Sequence, residues 1–236
     1  MSSSACGASI MNSVSTVDQV IVLAAGKSLQ LDGASKLLIR HPITGRTILD
    51  YLCDAFVGKK IIVVVGYKAI EIMQAYPTLN YVYNPDWALT NNAMSLALAL
   101  DDRPTYVVSG DIFLSSDLVQ RLDSESDDLV LTSDREKRSL TAIHCVLDDK
   151  NGISETYQGP VRDMRHPESI GLFKITSSSL LREWRRRCLL HSNLFVGQLI
   201  PCDVTHVSSV RISDEFFYEI NTPTDYVELI EESRIE

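Results

Sequence analysis

The sequence has no excess of positive charge: 22 lysine and arginine residues stand against 31 aspartate and glutamate residues, which gives a formal net charge of −9. Proteins that bind nucleic acid need clustered lysine and arginine side chains to displace counterions from phosphates. The sequence also lacks any run of about eighteen apolar residues, the length that a helix needs to cross a bilayer. We therefore expect neither a nucleic-acid partner nor a membrane span.

Several signatures of specialised sites are absent too. The five cysteines form no CxxC pair, the five histidines have no HxxxH or HExxH spacing, and neither GxSxG nor GxxxxGK[ST] occurs. These absences argue against a zinc site, an α/β-hydrolase nucleophile and a P-loop. The scattered cysteines favour reduced thiols in a cytoplasmic protein.

The chain is expected to consist of a short tail and one domain. Its start has neither the basic nor the apolar region of a secretory signal, so we expect residues 1–18 to form a flexible tail. Hydrophobic residues make up 45% of the sequence, enough for a sizeable core. No composition shift or linker divides the rest, and we expect a single domain over residues 19–236.

Short β-branched runs alternate with helical patterns through the first half. Strands are predicted at 20–23, 61–65, 79–83 and 105–109, and helices at 47–56, 69–76 and 92–100. This alternation predicts an α/β fold, with a mostly parallel sheet and helices on both faces. The second half predicts strands at 129–132, 142–147 and 171–175 that extend the sheet in antiparallel fashion, then a basic helix at 180–190, a strand at 216–220 and a helix at 224–231.

Small residues follow the first predicted strand in the segment Leu23-Ala24-Ala25-Gly26-Lys27-Ser28, and Lys36 comes shortly afterwards. Small side chains let backbone N–H groups approach a phosphate closely, and a lysine adds positive charge. The segment predicts a loop for a triphosphate. Taken alone, it fits an ordinary strand-to-helix turn with a surface lysine equally well.

Two further strand ends carry hard oxygen ligands. Gly110-Asp111 follows the strand at 105–109, and Glu219 with Asn221 ends the strand at 216–220. Ligands of open α/β sheets bind at the carboxyl edge, where these groups could bracket one Mg²⁺. The alternative for Asp111 is a simple cap of the following turn.

The segment at 84–96 is rich in amides and hydroxyls beside a tryptophan. The need for a residue that caps the following helix explains one of these polar side chains. The cluster as a whole suits the binding of a nucleotide base or of a small polar substrate. Its candidate ligands are Asn84, Trp87, Thr90, Asn91, Asn92 and Ser95. Lys174 is a further candidate for an anionic substrate, although a strand-edge lysine that faces solvent fits equally well.

In order along the chain, LAAGKS, IIVVVGY, YNPDWALTNNAMSL, VVSGDIF, SIGLFKI and YEINTPTDY resemble the MobA-like nucleotidyltransferase family. The middle block looks most like that of the cytidylyltransferases that activate phosphocholine and phosphonates. The resemblance covers about residues 19–231 and implies a Rossmann-like, three-layer αβα fold.

The resemblance also implies roles for the candidate residues. The Leu23–Ser28 loop and Gln30 would contact CTP, Lys36 would neutralise phosphate charge, and Asp111 would hold Mg²⁺ with Glu219 and Asn221. Gly110 and three residues of the 84–96 block, Asn84, Asn92 and Ser95, would complete the nucleotide site. Trp87, Thr90, Asn91, Lys174 and Glu219 would bind the acceptor. The implied reaction is Mg²⁺-dependent transfer of CMP to a small phosphonate or phosphocholine-like acceptor, in a possible homodimer.

Two positions depart from the family pattern. Gln30 stands where the family loop usually has arginine, and Asn221 stands where the family has a second aspartate. An amide oxygen still binds Mg²⁺, so the second change lowers the charge of the site without abolishing it. Two alternatives therefore stay open: a nucleotidyltransferase for a sugar phosphate or another acceptor, and a non-catalytic nucleotide-binding homologue.

Overall fold

The computed structural model describes residues 16–125, 127–134 and 141–232. Its strands are β1 Gln19–Ala24, β2 Lys60–Val65, β3 Asn80–Tyr83, β4 Thr105–Ser109, β5 Ile112–Leu114, β6 Leu129–Ser133, β7 Ile143–Leu147, β8 Ile153–Gln158, β9 Glu168–Ile175, β10 Ser208–Arg211 and β11 Phe217–Glu219. Its helices are α1 Ile48–Ala55, α2 Ala69–Ala75, α3 Asn92–Ala99, α4 Ser116–Ser124, α5 Ser178–Leu190 and α6 Pro223–Glu232. Short 3₁₀ helices occupy Lys36–Leu38 and Val196–Gln198.

The main sheet is mixed and has the order β10-β6-β9-β4-β1-β2-β3. β1 lies between β2 and β4 and pairs with both in parallel, and β3 continues the parallel half. β9 runs antiparallel between β4 and β6, and the β7–β8 hairpin joins its beginning. β5 and β11 form a separate antiparallel pair.

Helices cover both faces of the main sheet, as the alternation along β1 shows. Val20 and Val22 belong to the hydrophobic cluster that includes buried residues of α1, α4 and α6. Ile21 and Leu23 belong to the second cluster, which includes α3 and α5. Because successive side chains of a strand point to opposite faces, the two clusters are the two interfaces of a three-layer αβα fold. The predicted fold class is confirmed.

The structure adds elements that the sequence patterns did not predict: β5, α4, β8 and β10. The strand predicted at 216–220 exists as β11, but it pairs with β5 outside the main sheet. Most of the tail predicted for residues 1–18, together with Cys6, lies outside the described residues. Within the described ranges, no helix is long and apolar enough to span a bilayer.

Two glycines allow the three central strand ends to approach one another closely. A Cβ on Gly66, after β2, would lie 2.7 Å from the Ala25 carbonyl oxygen, and one on Gly110, after β4, would lie 2.9 Å from the Leu23 carbonyl oxygen. Real Cβ atoms do not approach so closely, so each site needs a glycine. The carboxyl end of β1 is therefore closely flanked on both sides, and this edge carries the site described next.

Candidate active site

A cavity of about 420 Å³ opens where the predicted triphosphate loop leaves β1. The loop turns back on itself, because the Gly33 N–H donates to the Ser28 carbonyl at 2.8 Å and Gly33 adopts a left-handed φ of +70°. The cavity is lined by most of the residues predicted to bind nucleotide: Leu23, Ala24, Gly26, Lys27, Ser28, Gln30, Lys36, Asn92 and Gly110. Ala25 is buried and outside this lining; its carbonyl accepts from the Tyr67 N–H at 2.9 Å.

Lys36 joins two strand ends at this cavity. Its ammonium donates to Asp111 Oδ2 at 2.9 Å and to Asn221 Oδ1 at 2.7 Å. The Lys36 and Asp111 side chains are 23% and 18% exposed, so water screens this ion pair only partly. Three segments that are far apart in sequence, the first 3₁₀ helix, the end of β4 and the end of β11, therefore meet at one ammonium group.

Asn221 uses both ends of its amide. Its oxygen accepts from Lys36, and its Nδ2 donates to Glu219 Oε1 at 2.7 Å. Asp225 holds the turn before α6, because its Oδ2 accepts from the N–H groups of Asn221 and Thr222, each at 2.7 Å. This network fixes the amide orientation, with oxygen toward the cation and nitrogen toward the carboxylate.

Glu219 is held in an environment that favours its protonated form. Burial is the main cause, the Asp111 charge adds to it, and together they raise the pKa of Glu219 to about 7. The Glu168 charge acts in the same direction, whereas the Asn221 amide opposes it. Negative charges crowded into a buried space favour the binding of a compensating cation.

Asp111 and Glu219 fit the Mg²⁺ site that was predicted. Asp111 Oδ1 is buried, and no donor in the described part of the chain reaches it. Carboxylate oxygens are the ligands that Mg²⁺ prefers, with waters and phosphate oxygens completing its shell. No group of three His, Cys, Asp or Glu side chains able to hold a metal exists among the described residues. The Asn221 oxygen is bonded to Lys36, so its predicted role as a direct metal ligand is not supported by this geometry.

A second cavity, of about 740 Å³, adjoins the first. The two share Gln30, Asn92, Ser109 and Asp111. Six carboxylates line the second cavity: Asp111, Glu168, Glu219, Asp225, Glu228 and Glu232. The described lining contains no lysine or arginine, so an anion that enters this space needs a cation to accompany it.

Most of the segment at 84–96 is structural. Asn84 is 1% exposed, and its Nδ2 donates to Ser95 Oγ at 3.1 Å. Its Oδ1 accepts from the Asp86 N–H at 3.0 Å. Because both polar ends of Asn84 are used and Ser95 is buried beside it, neither side chain lines a cavity. The prediction that these two residues contact nucleotide is corrected.

The three residues of this segment that were predicted to bind the acceptor are also outside both cavity linings. Trp87 packs on Tyr67, with ring centroids 5.2 Å apart. Thr90 Oγ1 donates to the Asp86 carbonyl at 2.8 Å, and Asn91 is the N-cap of α3. Asn92 alone from the six candidates lines the cavities, and its Oδ1 also accepts from the Val196 N–H at 2.9 Å.

The prediction that Lys174 binds the acceptor is wrong. Lys174 is 1% exposed, and its ammonium donates to the carbonyls of Leu122, at 2.8 Å, and Glu125, at 2.5 Å. These carbonyls belong to the carboxyl end of α4, where cations are favoured. Lys174 is therefore neither at the site nor facing solvent.

Sequence reasoning missed many of the cavity residues, among them Tyr67, Ser109 and Glu168. Tyr67 and Ser109 lie at the carboxyl ends of β2 and β4, so the rule that places ligands at this edge of a parallel sheet could have found them. Glu168 begins β9, an antiparallel strand to which that rule does not apply.

The model of the MobA-like NTP transferase domain matches residues 20–190. The chain belongs to this family. Among curated proteins, this MobA-like NTP transferase is similar to the CMP-5'-(3-aminopropyl)phosphonate synthase of Streptomyces rubellomurinus, with 26% identity over 178 residues. That alignment covers 70% of this chain but 28% of the relative, so the chain spans well under half of the relative's length.

Solved structures share the fold of this MobA-like NTP transferase. The CTP:phosphocholine cytidylyltransferase from Streptococcus pneumoniae matches with a TM-score of 0.71 and 18% identity, over 92% of this chain and 99% of the other. The inositol-1-phosphate CTP transferase from T. maritima matches with a TM-score of 0.70 and 17% identity, over 92% and 96%. These likenesses establish the fold.

Proposed function

We propose that this protein transfers CMP from CTP to a small phosphonate or phosphocholine-like phosphate monoester and releases pyrophosphate. Membership of the nucleotidyltransferase family and the likeness to a CMP-phosphonate synthase support cytidylyl transfer. The observation that carries the proposal is the position of Lys36, whose ammonium contacts Asp111, a residue that lines both cavities. One cavity suits a nucleotide, and the adjoining one suits its acceptor.

The reaction is an in-line displacement. An anionic oxygen of the acceptor attacks the α-phosphorus of CTP, a new O–P bond forms, and the bond to the departing pyrophosphate breaks. Because the attacking group is already an anion, no general base is required. Positioning and charge neutralisation supply the acceleration.

Residues of this chain divide those tasks. Residues 26–30 of the loop line the nucleotide cavity together with Lys36, so the loop backbone and the ammonium groups of Lys27 and Lys36 would contact the phosphates. Lys36 is held by Asp111 and Asn221, so its charge is fixed before substrates arrive. Gln30 is exposed and lines both cavities; it can donate a hydrogen bond but adds no charge, which leaves the two lysines as the described cations of the nucleotide cavity.

Asp111 and Glu219 would hold Mg²⁺. The bound ion would neutralise charge on the triphosphate and help to orient it. The carboxylate oxygen of Asp111 that lacks a partner supports this assignment. Asn221 then serves as the link between Lys36 and Glu219 and keeps both groups in place.

Pyrophosphate release with Mg²⁺ tests the proposal. The protein is assayed with CTP, UTP, GTP and ATP against phosphocholine, 2-aminoethylphosphonate, 2-hydroxyethylphosphonate, phosphonoformate and sugar phosphates. The proposal expects release with CTP and one phosphonate or phosphocholine. Preference for another nucleotide with a sugar phosphate would replace it with a different nucleotidyltransferase, and CTP binding without turnover on any acceptor would favour a non-catalytic homologue.

A further inference from the structure

Tyr67 touches both ends of the nucleotide loop. The Lys27 ammonium lies over its ring, 5.4 Å from the centroid. At the other end of the loop, a Cβ on Gly33 would lie 2.9 Å from the Tyr67 hydroxyl oxygen and 3.2 Å from Lys27 Cε, so the Gly33 backbone packs directly on both side chains. The loop at 26–33 is therefore closed around one aromatic side chain that belongs to a different strand end.

The ring itself is fixed by its surroundings. The Tyr67 N–H donates to the Ala25 carbonyl at 2.9 Å, which joins the ends of β1 and β2. The Trp87 indole packs on the Tyr67 ring at 5.2 Å with an interplanar angle of 54°. Trp87 also covers Gly66, where a Cβ would lie 2.6 Å from the Trp87 Cβ. The segment at 84–96 thus contributes to the site indirectly, through the packing of Trp87.

Lys27 needs such support because its side chain is exposed and has four rotatable bonds. An exposed lysine loses conformational freedom when it engages a phosphate, and this loss weakens binding. The Tyr67 ring holds the Lys27 ammonium beside the cavity before CTP binds, so less conformational entropy is lost when the ammonium engages a phosphate.

We propose that Tyr67 is a positioning residue for the nucleotide triphosphate, which it serves by holding Lys27, and that Trp87 supports the Tyr67 ring. This inference rests on the proposed function, because it takes the first cavity to be the nucleotide site. It gives Tyr67 no direct contact with the reacting atoms. Its effect falls on nucleotide binding and depends on the presence of Lys27.

The chain offers a matched control at Lys68. Its ammonium lies 6.0 Å from the same ring centroid, but it pairs with Glu71 at 3.4 Å and lies outside the lining of the nucleotide cavity. Removing Lys68 therefore changes the charge near the ring without removing a cavity cation. If Tyr67 acts through Lys27, coupling is expected with Lys27 and not with Lys68.

A double-mutant cycle tests the proposal, with CTP and Mg²⁺ titrated calorimetrically into the full chain in the absence of acceptor. Tyr67→Leu is expected to weaken CTP binding about 5- to 10-fold in the wild-type background. The same substitution is expected to change binding less than about 2-fold in a Lys27→Met background. Tyr67→Phe keeps the ring and should bind CTP as the wild type does, and Trp87→Leu should weaken binding less than Tyr67→Leu. Thermal unfolding of each variant confirms that it is folded.

Three outcomes overturn the inference. If the effects of Tyr67→Leu and Lys27→Met multiply independently, Tyr67 acts by another route, such as direct contact with the nucleotide. If Tyr67→Leu couples with Lys68→Met as strongly as with Lys27→Met, the effect reflects general charge at the ring. If Tyr67→Leu is folded and binds CTP normally, Tyr67 has no role. Each of these three results leaves the proposed function standing as long as the wild-type protein still turns over. A wild-type protein that binds no CTP would instead overturn the inference and the proposed function together.

Discussion

The Lys36 ammonium lies 2.9 Å from Oδ2 of Asp111, while no donor in the described ranges reaches Oδ1 of the same carboxylate. One oxygen is neutralised, and the other is buried without compensation. A buried polar atom without a partner costs about 1–3 kcal/mol of stability. Oδ1 of Asp111 is therefore available to a further cation, and the proposed reaction would place Mg²⁺ there.

Asp111→Asn is expected to lower the rate of pyrophosphate release at saturating CTP and Mg²⁺ by about 100-fold or more. The substitution removes the negative charge that would hold the metal and that holds the Lys36 ammonium in place. Initial rates give the measurement. Asp117→Asn, at an exposed carboxylate in the first turn of α4, is the matched control and should leave the rate within about 2-fold of wild type. Equal rates for the two variants would exclude a role for Asp111 in the reaction.

Asn221→Asp is expected to destabilise the metal-free protein by about 1–3 kcal/mol, because it removes the donor to Glu219 and places a like charge beside it. Urea unfolding in EDTA measures this loss. Added Mg²⁺ should recover stability in the variant more than in the wild type, since the ion binds the folded site. The exposed Asn193→Asp is the control; an Asn221→Asp protein as stable as this control would contradict the geometry.

The raised pKa of Glu219 predicts a pH dependence of stability. Its pKa is about 7 in the folded protein against an ordinary value of 4.5, so the folded state holds more protons between these values. Its contribution to stability is therefore lost as pH rises through this window. In EDTA, the unfolding free energy should fall between about pH 5 and about pH 8, and Glu219→Gln should fall less. Parallel pH profiles would show that Glu219 is not the responsible group.

Gly110→Ala, after β4, and Gly26→Ala, after β1, form a matched pair of glycine substitutions beside the nucleotide cavity. An added Cβ at Gly110 meets the Leu23 carbonyl oxygen at 2.9 Å, whereas one at Gly26 meets no atom within 4 Å. Gly110→Ala should lower the unfolding free energy by about 1–3 kcal/mol, and Gly26→Ala should lie within about 0.5 kcal/mol of wild type. Denaturant unfolding tests both variants, and equal stabilities would refute the close approach at Gly110.

Lys174→Met tests the corrected position of Lys174. The substitution leaves the carbonyls of Leu122 and Glu125 without their donor, so stability should fall by about 1–3 kcal/mol. The KM for the acceptor and the rate of pyrophosphate release should stay within about 2-fold of wild type, as in the exposed control Lys150→Met. A selective rise in the acceptor KM would return Lys174 to the site.

The parallel half of the fold could be predicted because its information is local. β1, β2 and β4 are largely apolar runs that end near small residues, and the rule for parallel sheets then places Asp111 and the loop after β1 at one edge. β5 was not predicted because it has three residues and is defined by pairing with β11, about a hundred residues away. No local period can reveal such a strand.

Side-chain direction explains the remaining errors. Asn84 and Lys174 are residue types that suit ligands, and their positions near strand ends favour a site. Their bonds to Ser95 and to the carbonyls of α4 arise from tertiary packing, which residue type and spacing do not encode. Asn92, at the start of α3 and three residues before Ser95, lines the cavities instead.

The small β5–β11 pair divides the site between two separately hydrogen-bonded units. Lys36 and Asp111 adjoin the central sheet, whereas Glu219 and Asn221 belong to a three-residue strand and the turn after it. Proteins open locally in cooperative units, and the opening free energy of one unit can differ from that of another. The Ile220 amide, which donates to the Asp111 carbonyl at 2.9 Å, joins the two units. Its hydrogen-exchange rate relative to the amides of β1 would therefore report how often the wall that carries Glu219 separates while the rest of the protein stays folded.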